Sequence, residues 1–210
     1  AIDPPVAELD KGVMVLDKLP LTQDIVDSVL AMVNPLLRGC LLGGGTVDLQ
    51  ALETRIPLGG GTANQSEAEF SVTLNDTIFT VAGVLGEALE LAGIERRDLT
   101  ISKSTMRAVC RNGRIETSPF EIAFNEHKLR LYGTVGLDQT VAYTVELPLG
   151  KKLVGSHVWP YIQGLTIRVP ITGTVTNLRL NREAGKKEIA RLIAEATLRA
   201  VEQLQKLLQK

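Results

Sequence analysis

The sequence predicts an α+β fold: a curved antiparallel β-meander with one apolar face, covered by a helix in the N-terminal half and by a C-terminal amphipathic helix. Three observations carry this. Apolar and polar residues alternate with period two from about Leu99 to Leu180, short turns separate the first of the alternating runs, and stretches of helical period lie on both sides. Successive side chains of a strand point to opposite faces, so each run has one apolar and one polar side. Short connections join strands antiparallel, whereas a parallel pair needs a crossover of about a dozen residues.

Taken in chain order, residues 22–38 come first and read as helix. Thr22 is a suitable N-cap, and Ile25, Val26, Val29, Leu30, Met32 and Val33 form a broad apolar side. Asn34-Pro35 kinks or ends it, and Leu36-Leu37-Arg38-Gly39 makes a closing turn, so the helical insertion spans about 22–39. The segment Leu42-Gly43-Gly44-Gly45-Thr46 recurs as Leu58-Gly59-Gly60-Gly61-Thr62, and both copies are expected to be turns. Val47 to Ile56 and the run Phe70, Val72, Leu74 add strands to the sheet. A second short helix fits Val84 to Leu91, closed by Gly93.

The meander follows. Phe120, Ile122 and Phe124 alternate with Glu121 and Ala123, and Leu129, Leu131, Gly133, Val135 and Leu137 alternate with Arg130, Tyr132, Thr134 and Gly136. Val141, Tyr143, Val145 and Leu147 repeat the pattern. The turns between them are Asn125-Glu126-His127 and Asp138-Gln139. After a break at 150–163 come Leu165, Ile167, Val169 and Ile171, then Val175, Leu178 and Leu180 with one residue too many, which suggests a bulge. Trp159-Pro160-Tyr161 in the break suits a hinge packed under the sheet, or rings at a membrane interface.

The final segment, about 184–209, places Ile189, Leu192, Ile193, Ala196, Ala200, Leu204, Leu207 and Leu208 on one stripe, with Lys187, Arg191, Glu195, Glu202 and Lys206 opposite. Such a helix runs for ~38 Å, enough to lie across several strands. Lys186, Lys187 and Arg191 read as its solvated side, with contact to anionic headgroups as the alternative. The whole of 1–210 is expected to form a single domain.

Composition narrows the function. The 210 residues carry 23 basic and 24 acidic side chains for a net charge of −1, which argues against a nucleic-acid partner, since phosphate recognition leaves a basic excess. With 4% aromatic residues the chain is poor in stacking platforms, and its 44% hydrophobic content excludes a disordered chain. No window approaches the ~20 apolar residues of a membrane-spanning helix. The first residues, Ala1-Ile2-Asp3-Pro4-Pro5, have no charged or apolar leader pattern, so any tethering or targeting segment is expected to lie outside this sequence. Cys40 and Cys110 are too few for a disulfide framework and their spacing carries no pairing signal; unpaired thiols are expected.

No reactive constellation emerges. His127 and His157 are thirty residues apart and read as turn and loop residues. No C-x-x-C, H-E-x-x-H, calcium-loop, G-x-S-x-G or S-x-x-K pattern occurs, so no catalytic residue, metal site or cofactor is expected. Neither Gly-Gly-Gly-Thr run is followed by the lysine of a phosphate-binding loop. Asn64-Gln65-Ser66 and Asn75-Asp76-Thr77 match the glycosylation acceptor pattern, which chance supplies in most chains of this length.

Gly113-Arg114-Ile115-Glu116, then Phe120 to Phe124, Leu129-Arg130-Leu131-Tyr132-Gly133-Thr134-Val135-Gly136-Leu137-Asp138, Val141 to Leu149, and Ile167-Arg168-Val169-Pro170-Ile171-Thr172-Gly173-Thr174-Val175-Thr176-Asn177-Leu178 form an ordered series. This series resembles the C-terminal region of bacterial AsmA-like proteins, and Asn34-Pro35-Leu36-Leu37 resembles that family's helical insertion. The likeness covers about half the chain and departs at Leu178, where the family usually has proline. It implies a repeating β-groove of the bridge-like lipid-transfer kind, tethered in the cell envelope and projecting into the periplasm, acting without catalysis in phospholipid transport and outer-membrane biogenesis. The implied partners are phospholipid or another acyl-chain lipid, a membrane surface and envelope proteins.

The residues themselves suit an apolar trough, in which each buried methylene is worth roughly 0.8 kcal/mol. Its expected lining is Phe120, Ile122, Phe124, Leu129, Leu131, Val135, Val141, Tyr143, Val145, Ile167 and Val169. In the alternative, the two helices fill this face completely, and the domain is a structural or partner-binding cap of a larger envelope protein.

Overall fold

Ten strands form one open, curved, antiparallel sheet. The computed structural model describes residues 5–58, 63–95, 97–124, 127–153 and 155–208. The strands are β1 (Val6–Glu8), β2 (Met14–Pro20), β3 (Leu41–Pro57), β4 (Glu67–Thr80), β5 (Asp98–Arg111), β6 (Arg114–Phe124), β7 (His127–Gly136), β8 (Thr140–Pro148), β9 (Thr166–Thr174) and β10 (Asn177–Leu180). From β3 onward, strands that follow one another in sequence lie side by side, while β1 and β2 both pair with β3 and form the other edge. The turns dictate this order. Asn112 and Gly113 both have positive φ, 51° and 71°, the backbone of a tight Asn-Gly hairpin turn between β5 and β6.

Cross-strand partners share a face, and their chemistry matches. Phe120 pairs with Leu131, Leu131 with Val145, and Val145 with Val169, all at 0% exposure. Val72 pairs with Met106 in the same manner, further toward the β2 edge. The adjacent register positions alternate in charge. Glu121 pairs with Arg130, Arg130 with Glu146, and Glu146 with Arg168. Their ion pairs measure 2.8 Å for Arg130–Glu121, 3.8 Å for Arg130–Glu146 and 3.3 Å for Arg168–Glu146. At Gly133 the strands come so close that a Cβ would collide with the Tyr143 backbone and ring, so glycine seats that ring.

The helix expected over 22–38 ends at Asn34-Pro35 as its sequence predicts, but a π-helical turn interrupts it. Thr22 does cap it, accepting from the Ile25 amide at 3.3 Å. Beyond α1 (Gln23–Ile25) the chain passes through a π-helical turn, Val26–Leu30, into α2 (Ala31–Val33). Proline 35 has no amide to continue the ladder, so a 3-10 turn over Pro35–Leu37 follows, with the Asn34 side chain accepting from the Leu36 amide. The first triple-glycine run is not a turn either. It lies inside β3, where Gly44 and Gly45 have φ of 138° and 124° and shift the register against β4. The second run lies outside the described residues.

Three further α-helices follow among the described residues. Helix α3 (Gly83–Leu91) buries Leu85, Ala88 and Leu89 and ends at Gly93, φ 72°, as its sequence predicts. The break at 150–163 contains a helix, α4 (Gly155–Ile162), despite Pro160 within it; Trp159 and Tyr161 pack against the core. Helix α5 (Arg182–Leu208) is capped by Asn181, which accepts from the Ala184 amide at 3.0 Å. It packs on β9 and α4, burying Ile189, Leu192 and Ala196, and Gly185 allows its close approach to Leu91 and Val169. Lys186, Lys187 and Arg191 are exposed. The extra residue between Val175 and Leu178 is not the expected bulge: Val175 and Thr176 form the turn of a β9–β10 hairpin, with Thr174 opposite Asn177.

Candidate functional site

The open apolar space lies toward the β2 edge, between the sheet and the α1–α2 segment. There β2 supplies Leu16 and Leu19, β3 Val47 and Leu49, β4 Phe70 and Val72, β5 Ala108 and Cys110, and β6 Ile115. Ile25, Val29, Leu30, Met32 and Val33 line the opposite wall. These side chains enclose about 430 Å³ and none is charged. Val26 and Leu30 are buried, whereas Val29 is 45% and Met32 58% exposed, so the cavity is incompletely roofed. A large apolar hollow with an open side is the usual form of a site for an apolar ligand.

Polar contacts hold the roof in place. At its start, the Gln23 side chain donates to the Cys40 carbonyl and accepts from the Leu42 amide, both at 3.0 Å, which ties α1 to the beginning of β3. Asp27 accepts from the Gly39 amide at 3.2 Å and from the Gln23 side chain at 3.0 Å. At its end, the Val33 carbonyl accepts from the Thr117 hydroxyl at 2.8 Å and the Tyr143 hydroxyl at 2.5 Å. Those hydroxyls are 2.8 Å apart. Burial pushes the Tyr143 phenol well above its ordinary value, so it stays a protonated donor. Asn34 is buried beside this knot in sequence, and its side-chain nitrogen has no partner.

A second hollow, about 400 Å³, adjoins the first and shares Met32 and Ile115 with it. Its lining is mixed: Asp27, Ser28, Arg38, Gln139 and Thr176 stand with Ala31, Val135, Leu137 and Val175. A third hollow, about 630 Å³, is lined by Glu69, Arg107, Arg111, Arg114, Glu116 and neighbours. There Arg107 meets Glu69 at 2.5 Å, and its hydrogen bond holds the Glu69 carboxyl below the usual range.

Of the lining expected from the sequence, Phe120, Ile122, Leu129, Leu131, Val145, Ile167 and Val169 have at most 1% exposure, Tyr143 2%, and Val135 and Val141 4%. They belong to one packed core cluster with α5 and α3 residues. The Phe124 side chain lies outside the described residues. Of these positions only Val135 borders a described hollow, the mixed one. Sequence reading placed Ile25, Val29, Met32 and Val33 on the apolar side of the lid but missed Leu16, Leu19, Cys110 and Ile115. Alternation in β2 is obscured by Asp17 and Lys18, and Lys18 itself sits at φ 46° within an irregular pairing.

Both thiols are free, with Cys40 buried and Cys110 partly so, and burial raises both above the ordinary thiol value. The His127 and His157 side chains lie outside the described residues. Among the described residues no three of His, Cys, Asp and Glu gather as a metal-binding group, and no helix is long and apolar enough to cross a membrane.

Fold and hollow together define an open antiparallel-sheet protein with a half-roofed apolar cavity. No family model, curated protein or solved structure matches the chain.

Proposed function

We propose that this chain is a non-enzymatic cell-envelope domain whose sheet offers an apolar β-groove to the acyl chain of a phospholipid or similar lipid. In this reading the sheet is a ribbon apolar on one side. Helices α3 and α5 cover that side over β8 to β10, and it stays open beneath α1 and α2. The single observation that carries the reading is the uncharged cavity of about 430 Å³ roofed by the exposed Val29 and Met32. An acyl chain gains roughly 0.8 kcal/mol for each methylene it withdraws from water there. The resemblance to the AsmA-like C-terminal region supports the same assignment. In this reading the domain works in the periplasm or envelope, in phospholipid transfer toward the outer membrane.

Native mass spectrometry of the chain expressed in bacteria tests this. Co-purifying phospholipid or fatty acid, lost when Ala108→Phe fills the cavity, is the expected result. A protein free of lipid both as purified and after incubation with phospholipid vesicles contradicts it.

A second reading has its own observation. The predicted lining over β6 to β9 is packed to 4% exposure or less wherever its side chains are described. A face so filled suits a structural or partner-binding cap of a larger envelope protein. The lipid-free outcome selects that reading.

A further inference from the structure

Resting on the acyl-chain reading above, we infer that the site takes a single-chain amphiphile with an anionic head, its tail in the apolar cavity and its head against Arg38 in the adjoining mixed hollow. The two hollows share Met32 and Ile115, so one molecule reaches both by displacing the Met32 side chain, which is unbranched, flexible and 58% exposed. Among the described residues, Arg38 is the one basic residue along either wall. One guanidinium nitrogen donates to the Val175 carbonyl at 3.2 Å, and no carboxylate lies within ion-pair distance among the described residues. Its planar fork is therefore open to a carboxylate or a phosphate monoester, which it binds through paired charge-assisted hydrogen bonds.

The acidic neighbour Asp27 keeps its charge in the same hollow and reduces the gain, but it is not an ion-pair partner that occupies the Arg38 fork. Both oxygens of Asp27 are engaged, one by the Gly39 amide and the other by the Gln23 side chain. The same polar lining sets the chain count at one. A second tail would have to lie in the mixed hollow against Asp27, Ser28 and Arg38, where it would strip water from charged groups without replacing their hydrogen bonds.

The test is a fluorescence titration of the full chain with cis-parinaric acid and with its methyl ester, which keeps the tail and loses the charge. The acid is expected to bind the native protein about tenfold more tightly than the ester, the worth of one charge-assisted contact. Arg38→Gln should remove that preference without weakening the ester, and Arg38→Lys should retain part of it. Lysophosphatidate should displace the acid, and glycerol phosphate, the same head without a tail, should not. Equal binding of acid and ester, or equal weakening of both by Arg38→Gln, overturns the head-group assignment and leaves the acyl site standing. Displacement by glycerol phosphate alone makes Arg38 a free-anion site and overturns the amphiphile. If neither probe binds the native chain, the acyl-chain reading falls as well.

Discussion

The Tyr143 hydroxyl lies 2.5 Å from the Val33 carbonyl oxygen, across a sequence separation of 110 residues. That bond joins the roof of the apolar cavity to the middle of the sheet, and the Thr117 hydroxyl, 2.8 Å from the same oxygen, doubles it. Tyr143→Phe leaves Thr117 to satisfy the carbonyl, so the expected cost is about 1 kcal/mol. Adding Thr117→Val leaves the half-buried Val33 carbonyl without either donor, and the double variant should lose roughly 3 kcal/mol, more than the sum of the singles. Urea denaturation of the four proteins measures this; strict additivity would contradict it.

Gly45→Ala tests the bulge in β3. An added Cβ would sit 2.7 Å from the Thr77 Cα on β4, at a φ of 124° that side chains rarely adopt. Forced local displacement of this kind costs roughly 1–3 kcal/mol. Gly39→Ala is the comparison: its φ is also positive, at 78°, but no atom lies within 4 Å of the new methyl. The loss in denaturation midpoint should be larger at 45 than at 39.

Charge pairing between neighbouring strands makes stability fall in acid. The Arg107 hydrogen bond holds Glu69 below the ordinary carboxyl range, and Lys128, then Arg130, do the same for Glu121. A carboxyl with a lowered native pKa contributes fully above its unfolded value, about 4.3 for Glu, and loses the contribution as pH falls through the native one. The urea midpoint should therefore drop between pH 6 and pH 3. Replacing both acids, Glu69→Gln with Glu121→Gln, should lower it at pH 6 and flatten the profile; an unchanged slope would contradict the assignment.

Much of the sheet was legible because alternation survives wherever one side of a strand is buried: Leu129, Leu131, Val141, Tyr143, Val145, Ile167 and Val169 were all read correctly as apolar strand positions and are all buried. The glycine run misled because Gly43 to Gly45 has no side-chain pattern to show that it continues a strand. Pro160 hid α4, although a helix tolerates the lost hydrogen bond when its rings pack as Trp159 and Tyr161 do. The cavity itself had no sequence signature. Apolar residues announce which side is covered, but how far a covering helix reaches depends on packing. The roof stops short because Asn34-Pro35 ends it after Val33.

The most direct measurement uses Cys110, which lines the apolar cavity, with Cys40, at 0% exposure, as an internal control. Both thiols should titrate as free on denaturation, since neither is paired. In the native protein the rate of Cys110 alkylation by N-ethylmaleimide should fall at least severalfold when oleate is added below its micellar concentration, while Cys40 stays unreactive. The same Cys110 rate with and without oleate would contradict an acyl-chain site in this cavity.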